Sequence, residues 1–326
     1  MLPDYIKDWL EVIEQMKNDN TYKPCFGRAL IECIINNEYI FKNNEVLITF
    51  DQISEKMIRY YWNQMFFFNL KQSGNNKKPP KIYQTTNKLI QEYITKKESK
   101  IPVVFDIKDS NEIIKTVGYN FFNKCIKESS NIIPKDVLYR FMNTSTDSKD
   151  LYKYDINKRL VIFNQEHISL LKEYGIIIAQ LLNYKWSQLL ERYNNSPRIV
   201  NKVKSIAENN IHRQNLSKYK EQLLKQFEDG KIIDFYTGKE LSIDDVSIDH
   251  VIPWSFMYSD DLWNLVVTSK SYNSSKSNSI PNEQVIQKLK ERNKKILSLV
   301  DEKFQYILKE AMESSLVDKY YYQCRL

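Results

Sequence analysis

The sequence predicts a mainly α-helical protein with a small α+β region at its C-terminal end. Apolar residues recur at helical spacing along most of the chain before Gly230, as Tyr5, Trp9 and Val12 do near the start. Glycine is scarce, with 6 among 326 residues, which favours helices over a turn-rich β architecture. After Gly230 the pattern changes to short extended pieces and turns.

The first region, 1–100, is predicted to be a helical domain. Helices are predicted over 4–18, 23–37, 51–68 and 81–97, and a short strand over 46–50. Asp51 is the expected N-cap of the third helix, because its carboxylate can accept hydrogen bonds from the first backbone N–H groups. The order helix, helix, strand, helix resembles a winged-helix arrangement.

The middle region, 101–210, is predicted to be mixed and mainly helical. Short strands are expected at 101–105 and 160–163, and a long core helix runs from Gln165 to about Leu190. The Asn-Ser-Pro sequence at 195–197 ends that helix, and a basic helix follows it.

The last region, 211–326, contains the change of pattern, with flanking helices on either side. An amphipathic helix is predicted over 216–229 and a strongly basic helix over 282–300. The chain is long enough for two or three domains with separate cores, so we place domain boundaries near 100 and 210.

Charge and composition restrict the class of protein. The net charge of +7 permits a nucleic-acid partner without requiring one. Apolar residues make up 42% and charged residues 27%, as in a globular protein. The longest apolar run, Gly175–Leu182, is too short to span a bilayer, and the N-terminus lacks the apolar core of a signal peptide. We therefore expect a cytoplasmic protein with no membrane partner.

The cysteines exclude two classes of small-domain framework. Cys25, Cys33, Cys125 and Cys324 form no C-x-x-C pair. This spacing argues against a zinc ribbon and against a disulfide-stabilised scaffold.

One constellation of polar residues carries chemistry. Asp249 and His250 lie on an extended run over 248–252, Asn264 follows fourteen residues after His250, and Asn273 nine residues later. The turn at 236–239 could fold one strand back on another, and Asn273 begins a polar stretch that could start a helix. A hairpin followed by a helix would bring Asp249, His250 and Asn273 together.

The chemistry of these three side chains fits phosphodiester hydrolysis. An imidazole can take a proton from water near neutral pH. A carboxylate and an amide oxygen are hard ligands suited to Mg²⁺, which retains several waters and binds phosphate oxygens.

These residues also carry a family resemblance. The strings Tyr-Thr-Gly, Asp-His-Val-Ile-Pro-Trp-Ser, Asp-Leu-Trp-Asn-Leu-Val and Asn-Ser-Ser-Lys-Ser follow one another between Tyr236 and Ser277. In order and spacing they resemble the HNH, or ββα-metal, endonucleases, in the Asp-His…Asn…Asn variant that is also present in the HNH domain of the RNA-guided CRISPR nuclease. A looser similarity upstream, through Arg213, is to HNH proteins of bacterial restriction and phage-defence loci.

The resemblance implies a role for each residue of the motif. His250 would be the general base, Asp249 and Asn273 would bind Mg²⁺ or Mn²⁺, and Lys276 would lie near the phosphate. Asn264 would act by bracing the loop between strand and helix through hydrogen bonds to the backbone. For both asparagines the alternative is a simple turn-forming role.

Basic residues outside the motif are candidate nucleic-acid contacts. Arg213 could bind a phosphate or form an intramolecular salt bridge. The helix over 282–300 carries Lys288, Arg292 and Lys295, which could contact the DNA backbone or form an ordinary solvated face.

The sequence departs from many relatives at the zinc positions. Cysteine pairs of those relatives fall at Asp234 or Phe235, at Tyr236 and Thr237, and around Tyr272, where this chain has none. We therefore expect no structural zinc. The hairpin would instead be held by apolar packing, to which we assign Phe235, Tyr236, Leu241, Ile248 and Trp263.

The resemblance thus implies a ββα-metal nuclease domain that hydrolyses double-stranded DNA with Mg²⁺, in restriction or phage defence. Three alternatives stay open. The domain could be a non-catalytic DNA-binding or regulatory module, it could be a nuclease subunit that a defence-system partner protein activates, or its substrate could be RNA.

Overall fold

The computed structural model describes residues 2–18, 20–74, 79–106, 110–208, 215–227 and 229–325. The chain forms two compact units. The first comprises Met1–Asn194 and Ile199–Asn210, and the second comprises Asn195–Arg198 and Ile211–Leu326. None of the helices in the described ranges combines the length and the apolar character that a membrane span needs.

Helices dominate the first unit. They are α1 (Asp4–Gln15), α2 (Tyr22–Ile35), α3 (Phe50–Trp62), α4 (Lys81–Lys97), α5 (Ser110–Val117), α6 (Tyr119–Ser130), α7 (Ile133–Asp136), α8 (Gln165–Tyr193) and α9 (Ile199–Glu208). The strands are β1 (Ile40–Lys42), β2 (Glu45–Thr49), β3 (Lys153–Asp155) and β4 (Leu160–Asn164). They form one antiparallel sheet in the order β1-β2-β4-β3.

The centre of the first unit is the contact between α2 and α8. Helix α2 is almost entirely buried, because its charged residues are few and two of them, Arg28 and Glu32, lie 3.5 Å apart within the core. Gly27 permits the close approach, since an added Cβ there would lie 2.6 Å from the ring of Phe141 and 3.0 Å from Leu182. Any larger residue at 27 would push these elements apart.

The predicted boundary at residue 100 is wrong, and so is the winged-helix arrangement. Strand β2 pairs with β4 along its whole length, with Val46 opposite Phe163 and Ile48 opposite Val161. A hairpin of β1 and β2 alone would leave the inner edge of β2 without hydrogen-bond partners, and β4 supplies them. Residues 1–100 and most of 101–210 therefore belong to one unit.

Two local predictions in this unit are also corrected. Helix α3 begins at Phe50 with Thr49 as its N-cap, not Asp51: Thr49 and Gln52 form a reciprocal capping box. Residues 101–105 are extended but pair with no strand in the described sheet. Their backbone is bound by side chains instead, since Asn63 bonds both the N–H and the carbonyl of Phe105.

The second unit contains two small antiparallel sheets. Its strands are β5 (Ile232–Ile233), β6 (Glu240–Leu241), β7 (Val246–His250) and β8 (Leu265–Ser269), paired β5-β6 and β7-β8. Its helices are α10 (Ser217–Leu224), α11 (Trp254–Met257), α12 (Lys270–Lys276), α13 (Glu283–Ile296), α14 (Glu302–Glu313) and α15 (Leu316–Cys324). The mainly α chain thus has its small α+β part at the C-terminal end.

A separate apolar core supports these short elements. Buried residues from α10, the loop after β7, β8 and the last three helices form one cluster. Side-chain caps start the two helices next to the strands, because Ser269 accepts from the N–H of Tyr272 at α12 and Asn282 accepts from that of Val285 at α13. Strand β8 therefore passes directly into α12.

Candidate active site

Strands β7 and β8 and helix α12 form a ββα arrangement that collects the motif residues. Asp249 pairs with Val266 and His250 with Leu265 in the β7-β8 ladder. Helix α12 packs on β7, and its Asn273 donates from Nδ2 to the Ile248 carbonyl at 3.2 Å. The predicted convergence of one strand end and one helix is therefore present.

Asp249 lies at the centre of this arrangement. Its side chain is buried, and the Tyr236 hydroxyl donates to its Oδ2. The Lys276 ammonium lies 2.9 Å from the same oxygen. Burial and the neighbouring Asp249 charge raise the pKa of Tyr236 far above its usual range, so the phenol stays protonated and donates. Neither contact uses Oδ1 of Asp249.

Lys276 is held inside the site rather than on an open surface. Its side chain is 7% exposed, and its Nζ also donates to the His250 carbonyl at 2.8 Å. The ammonium thus compensates the buried Asp249 carboxylate. A phosphate contact by Lys276 stays a prediction, and it would require this ion pair to open.

His250 is oriented by a carboxylate that the sequence analysis missed. The Nε2 atom of His250 lies 2.9 Å from Oδ1 of Asp260, with side-chain exposures of 5% and 11%. An ionised carboxylate can only accept, so Nε2 carries the proton and donates to Asp260. In the neutral ring Nδ1 is then the unprotonated nitrogen, which can accept a proton.

The position of Asp260 is itself fixed. The hydroxyl of Tyr219 in α10 donates to the Asp260 carbonyl. In the sequence, the one indication of a carboxylate partner for His250 was an acidic pair inside the motif, Asp260 and Asp261. That pair does not reveal which carboxylate faces the ring, and Asp261 instead accepts from Ser259.

Asn264 binds backbone on both sides of its amide. Its Oδ1 accepts from the Ile252 N–H at 2.8 Å, and its Nδ2 donates to the Ile252 carbonyl at 2.9 Å. The Asn264 carbonyl accepts from the Val251 N–H at 2.9 Å. These bonds tie the loop after β7 to the turn before β8, so Asn264 contributes to the position of its neighbours rather than to a metal.

Asn273 presents one end of its amide to β7. Besides the Ile248 carbonyl, its Nδ2 donates to Oγ of Ser247 at 2.7 Å. The Ile248 carbonyl can only accept, so the amide atom that faces it is the nitrogen, Nδ2, which donates. Oδ1 of Asn273 is then the end that can act as a ligand.

The donor set fits a hard divalent cation. Oδ1 of Asp249 and Oδ1 of Asn273 are oxygen ligands of the kind that Mg²⁺ prefers, and Mg²⁺ commonly keeps several waters. Within the described ranges, no three His, Cys, Asp or Glu side chains lie together as a metal cluster. A two-ligand site completed by waters and substrate phosphate is consistent with that result.

Asp234 holds the turn that carries Tyr236. Its Oδ1 accepts from the N–H groups of Tyr236 and Thr237, and its Oδ2 accepts from the Thr268 hydroxyl and the Ser269 N–H, all at 2.8–2.9 Å. Burial acts to raise the pKa of Asp234, but these hydrogen bonds outweigh it and lower the pKa. The carboxylate therefore links the turn to β8.

Apolar packing supports the same hairpin. Phe235 and Trp263 are buried in the core of the unit, and Tyr236, Leu241 and Ile248 pack against it partly buried. All four cysteines are buried and free of disulfides. The expectation that the protein contains no structural zinc stays a prediction.

The prediction that Arg292 contacts nucleic acid is wrong. Arg292 is 7% exposed and donates to the carbonyls of Leu262 and Trp263, next to the Asn293 amide, which also donates to Trp263. Burial lowers the pKa of Arg292 to about 9. Helix α13 thus uses these two side chains to hold the turn before Asn264.

The other basic candidates differ in their surroundings. Lys288 donates to the Phe235 carbonyl and lies over the Phe235 ring, so its ammonium already has a partner within the unit. Lys295 is exposed on α13 and stays a candidate for a backbone contact. Arg213 lies outside the described residues.

Comparison with known families matches both parts of the chain. Residues 234–282 match the model of a family described as HNH endonuclease, which confirms the predicted resemblance. Residues 10–208, more than half of the chain, match the model of a domain of unknown function, DUF8808.

A curated relative matches the HNH part alone. The CRISPR-associated endonuclease Cas9 of Streptococcus mutans is 43% identical over 68 residues, which are 20% of this chain and 5% of that protein. No solved structure matches the chain. With its first unit matched by one family model and its ββα segment by the other, the chain belongs to the DUF8808 family and carries an HNH endonuclease domain at residues 234–282.

Proposed function

We propose that this protein is a metal-dependent endonuclease that hydrolyses phosphodiester bonds of double-stranded DNA. The observation that supports this most is the pair of His250 and Asp260, which leaves Nδ1 of His250 as a proton acceptor in the residue that follows Asp249. A general base needs an oriented imidazole of this kind, with one ring nitrogen available to the proton.

Each residue has a defined task in this proposal. Nδ1 of His250 takes a proton from the attacking water, and Asp260 holds the ring and stabilises the imidazolium that forms. Asp249 and Asn273 would hold Mg²⁺ or Mn²⁺, which supplies positive charge to the scissile phosphate and the leaving oxygen. Asn264 keeps the loop in place, as its hydrogen bonds to Ile252 indicate.

Lys276 would change partner during the reaction. Its ammonium balances the Asp249 charge at 2.9 Å. A divalent cation at Asp249 would repel that ammonium. Lys276 would then be available to a phosphate oxygen close to the same carboxylate.

A role in restriction or phage defence belongs to the same proposal. It is supported by the Streptococcus mutans relative, which is a CRISPR-associated endonuclease, and by the looser similarity of the residues upstream of the motif to HNH proteins of defence loci. The chain spans 5% of that relative, so only the HNH segment carries the comparison.

Incubation with a panel of substrates tests the activity. Supercoiled plasmid, modified and unmodified phage DNA, and RNA would each be incubated with the full chain in Mg²⁺, in Mn²⁺ or in EDTA. We expect cleavage of DNA that EDTA abolishes. Binding without cleavage in either metal would favour the regulatory module, and cleavage of RNA alone would overturn the choice of DNA.

Substitution of the ligands tests the metal site separately from activity. Asp249→Ala should weaken Mn²⁺ binding measured by calorimetry, and higher Mn²⁺ should partly restore cleavage. Asn273→Ala should have a milder effect, because a neutral amide contributes less to cation binding than a carboxylate. Asp244→Ala, an exposed carboxylate on the preceding turn, is the matched control and should bind metal as the wild type does.

A further inference from the structure

The first unit contains a cavity of about 500 Å³ that the nuclease chemistry does not use. Its wall includes the first residues of two helices, Tyr22 and Lys23 of α2 and Lys81 and Ile82 of α4. The residues that precede these helices, Thr21 and Pro80, make no side-chain cap. At α2, however, Oδ1 of Asn20 accepts from the Tyr22 N–H and Pro24 has no N–H. The N-terminus of α4 is therefore the one that offers partial positive charge and N–H donors to an anion.

Charged side chains around the cavity add to this field. Among the residues that the structure describes, Lys17, Lys23, Lys81 and Arg140 line it together with one acidic residue, Asp136. Lys17, Lys81 and Arg140 are exposed, so they can turn toward a ligand without loss of buried contacts. Four basic groups around a helix N-terminus are the composition of a phosphate site.

A buried polar group points to a ligand independently of the charges. Tyr22 lines the cavity and is 6% exposed, and its hydroxyl has no hydrogen-bond partner among the described residues. Oδ1 of Asn18, which also lines the cavity, is buried and without a partner in the same sense. Such groups cost about 1–3 kcal/mol each when they stay unsatisfied, so a ligand that bonds to them is favoured.

The remaining wall suits a flat, partly apolar group. Pro80, Ile82 and Ile132 supply apolar surface, and Asn20 and Asn143 supply amides. The volume falls in the range of small-molecule sites, and it is larger than a phosphate ion alone would need. Phosphate recognition beside an apolar wall with amides is the chemistry of a nucleotide.

We propose that this cavity binds a nucleoside phosphate, with its phosphate group at the N-terminus of α4 among the basic side chains and its base against the apolar wall. The site lies within the first unit, and it does not depend on the proposed nuclease activity. The ligand chemistry could come from a free nucleotide or from a nucleotide within a nucleic acid, and the structure favours the free form because the cavity is of limited volume.

Calorimetry on the full chain tests this proposal with defined probes. The probes are AMP, GMP, ATP, GTP, inorganic phosphate and a single-stranded oligonucleotide. We expect at least one free nucleotide to bind more tightly than inorganic phosphate. Arg140→Ala should weaken that binding about tenfold or more, as the loss of one charge-assisted hydrogen bond does.

Tyr22→Phe separates a ligand contact from a structural role. The change removes a hydroxyl that has no hydrogen-bond partner in the described part of the chain. The free energy of unfolding of the ligand-free protein should therefore stay the same or rise, while nucleotide affinity falls. Lys42→Ala is the control, because Lys42 is an exposed lysine on β1 that does not line the cavity. It should bind nucleotide as the wild type does.

Three results would overturn the proposal. They are the absence of binding to every free nucleotide, binding of the oligonucleotide alone, and equal weakening by Arg140→Ala and Lys42→Ala. The last result would show that nucleotides are attracted by the overall positive charge of the protein rather than bound in this cavity.

Discussion

The two units both bury charged side chains, but they connect them differently. In the first unit Glu32 of α2 accepts from Lys56 at 3.0 Å and from the Tyr60 hydroxyl, both on α3, and Arg28 lies 3.5 Å from the same carboxylate. These groups pair with one another and join two helices. In the second unit buried polar groups bind the backbone of the strands and loop that carry His250.

The difference shows that a buried charge does not by itself mark a functional site. The Glu32 network joins side chains to one another between α2 and α3, and it reaches the half-exposed Glu38 through Lys56 at 2.8 Å. At the HNH motif, Asp234, Asn264 and Arg292 each hold a separate stretch of backbone around one carboxylate and one imidazole. We therefore expect substitutions in the first network to change stability, and those in the second unit to change catalysis or the site's geometry.

The largest loss of stability is expected in the first unit. Glu32→Gln removes the carboxylate beside Arg28 and one of the two carboxylates at Lys56, which keeps Glu38 at 2.8 Å. The free energy of unfolding should therefore fall by about 3 kcal/mol, the lower end for a broken buried ion pair. The cleavage rate of the remaining folded protein should not change. Chemical denaturation beside a cleavage assay measures both, and Glu14→Gln, an exposed change on α1, is the control. Slower cleavage by fully folded Glu32→Gln protein would contradict the expectation that this network affects stability alone.

A smaller loss is expected for the carboxylate that holds the hairpin. Asp234→Asn removes a charged acceptor of four hydrogen bonds, so stability at neutral pH should fall by about 2–3 kcal/mol. The pKa of Asp234 is lower in the folded protein than in the unfolded chain, so its contribution is present above about pH 4 and is lost as pH falls further.

Chemical denaturation of the wild type and of Asp234→Asn at several pH values tests this pH dependence. The difference between wild type and Asp234→Asn should be constant near neutral pH and should shrink below about pH 4. A difference that grows on acidification would mean that the carboxyl is protonated in the folded state and donates a hydrogen bond.

Substitution of the residue that orients His250 should act on rate alone. Asp260→Asn allows an amide to donate to Nε2 and so favours protonation of Nδ1, which would block proton transfer. We expect cleavage to slow about tenfold to a hundredfold at saturating protein, the loss typical of a residue that orients another, with unchanged DNA affinity. The ¹⁵N shifts of the His250 ring should report the changed tautomer.

Asp261→Asn is the matched control for this change. Asp261 is the neighbouring carboxylate and accepts from Ser259 rather than from the ring. Equal rates for Asp260→Asn and the wild type, with the same tautomer, would show that the hydrogen bond to His250 has no catalytic role.

The smallest effect is expected on the exposed face of α13. Lys295→Ala should lower the slope of log affinity against log salt by about 0.9 if one phosphate contact is lost. The decrease in affinity should be similar for all DNA sequences. Lys42→Ala is again the control, and an unchanged slope for Lys295→Ala would assign Lys295 to an ordinary solvated face.

The sequence alone predicted the elements that local pattern controls. Helix α4 has the predicted bounds of 81–97, because its apolar spacing and the prolines before it act over short distances. The motif spacing also predicted the approach of Asn273 to β7, since a hairpin and a following helix leave little freedom in where that helix packs.

Other features depend on contacts between distant residues. The partner of β2 lies more than a hundred residues away in β4, so no local pattern could indicate that 1–100 is not a separate domain. Asp260 meets the His250 ring only after the loop has folded. The hydrogen bonds of Asp234 likewise join a turn to a strand 34 residues later.

The burial of Arg292, in contrast, could have been predicted from the sequence. This residue lies three residues after Leu289 and four before Ile296, which places it on the buried stripe of α13. The number of positive charges on a helix does not show which of them lie on its buried face. A guanidinium can be buried where it finds carbonyl acceptors, and Leu262 and Trp263 provide them.

The rate of plasmid cleavage by His250→Ala tests the central claim most directly. The substitution removes the proposed base and leaves Asp249 and Asn273 to hold the metal, so cleavage should fall about 10²–10⁴-fold while DNA affinity changes little. His167→Ala, which changes a histidine of the first unit that stacks on Tyr5, controls for loss of a histidine elsewhere. Cleavage by His250→Ala at the wild-type rate, under matched metal and pH, would contradict the active site described for the HNH segment.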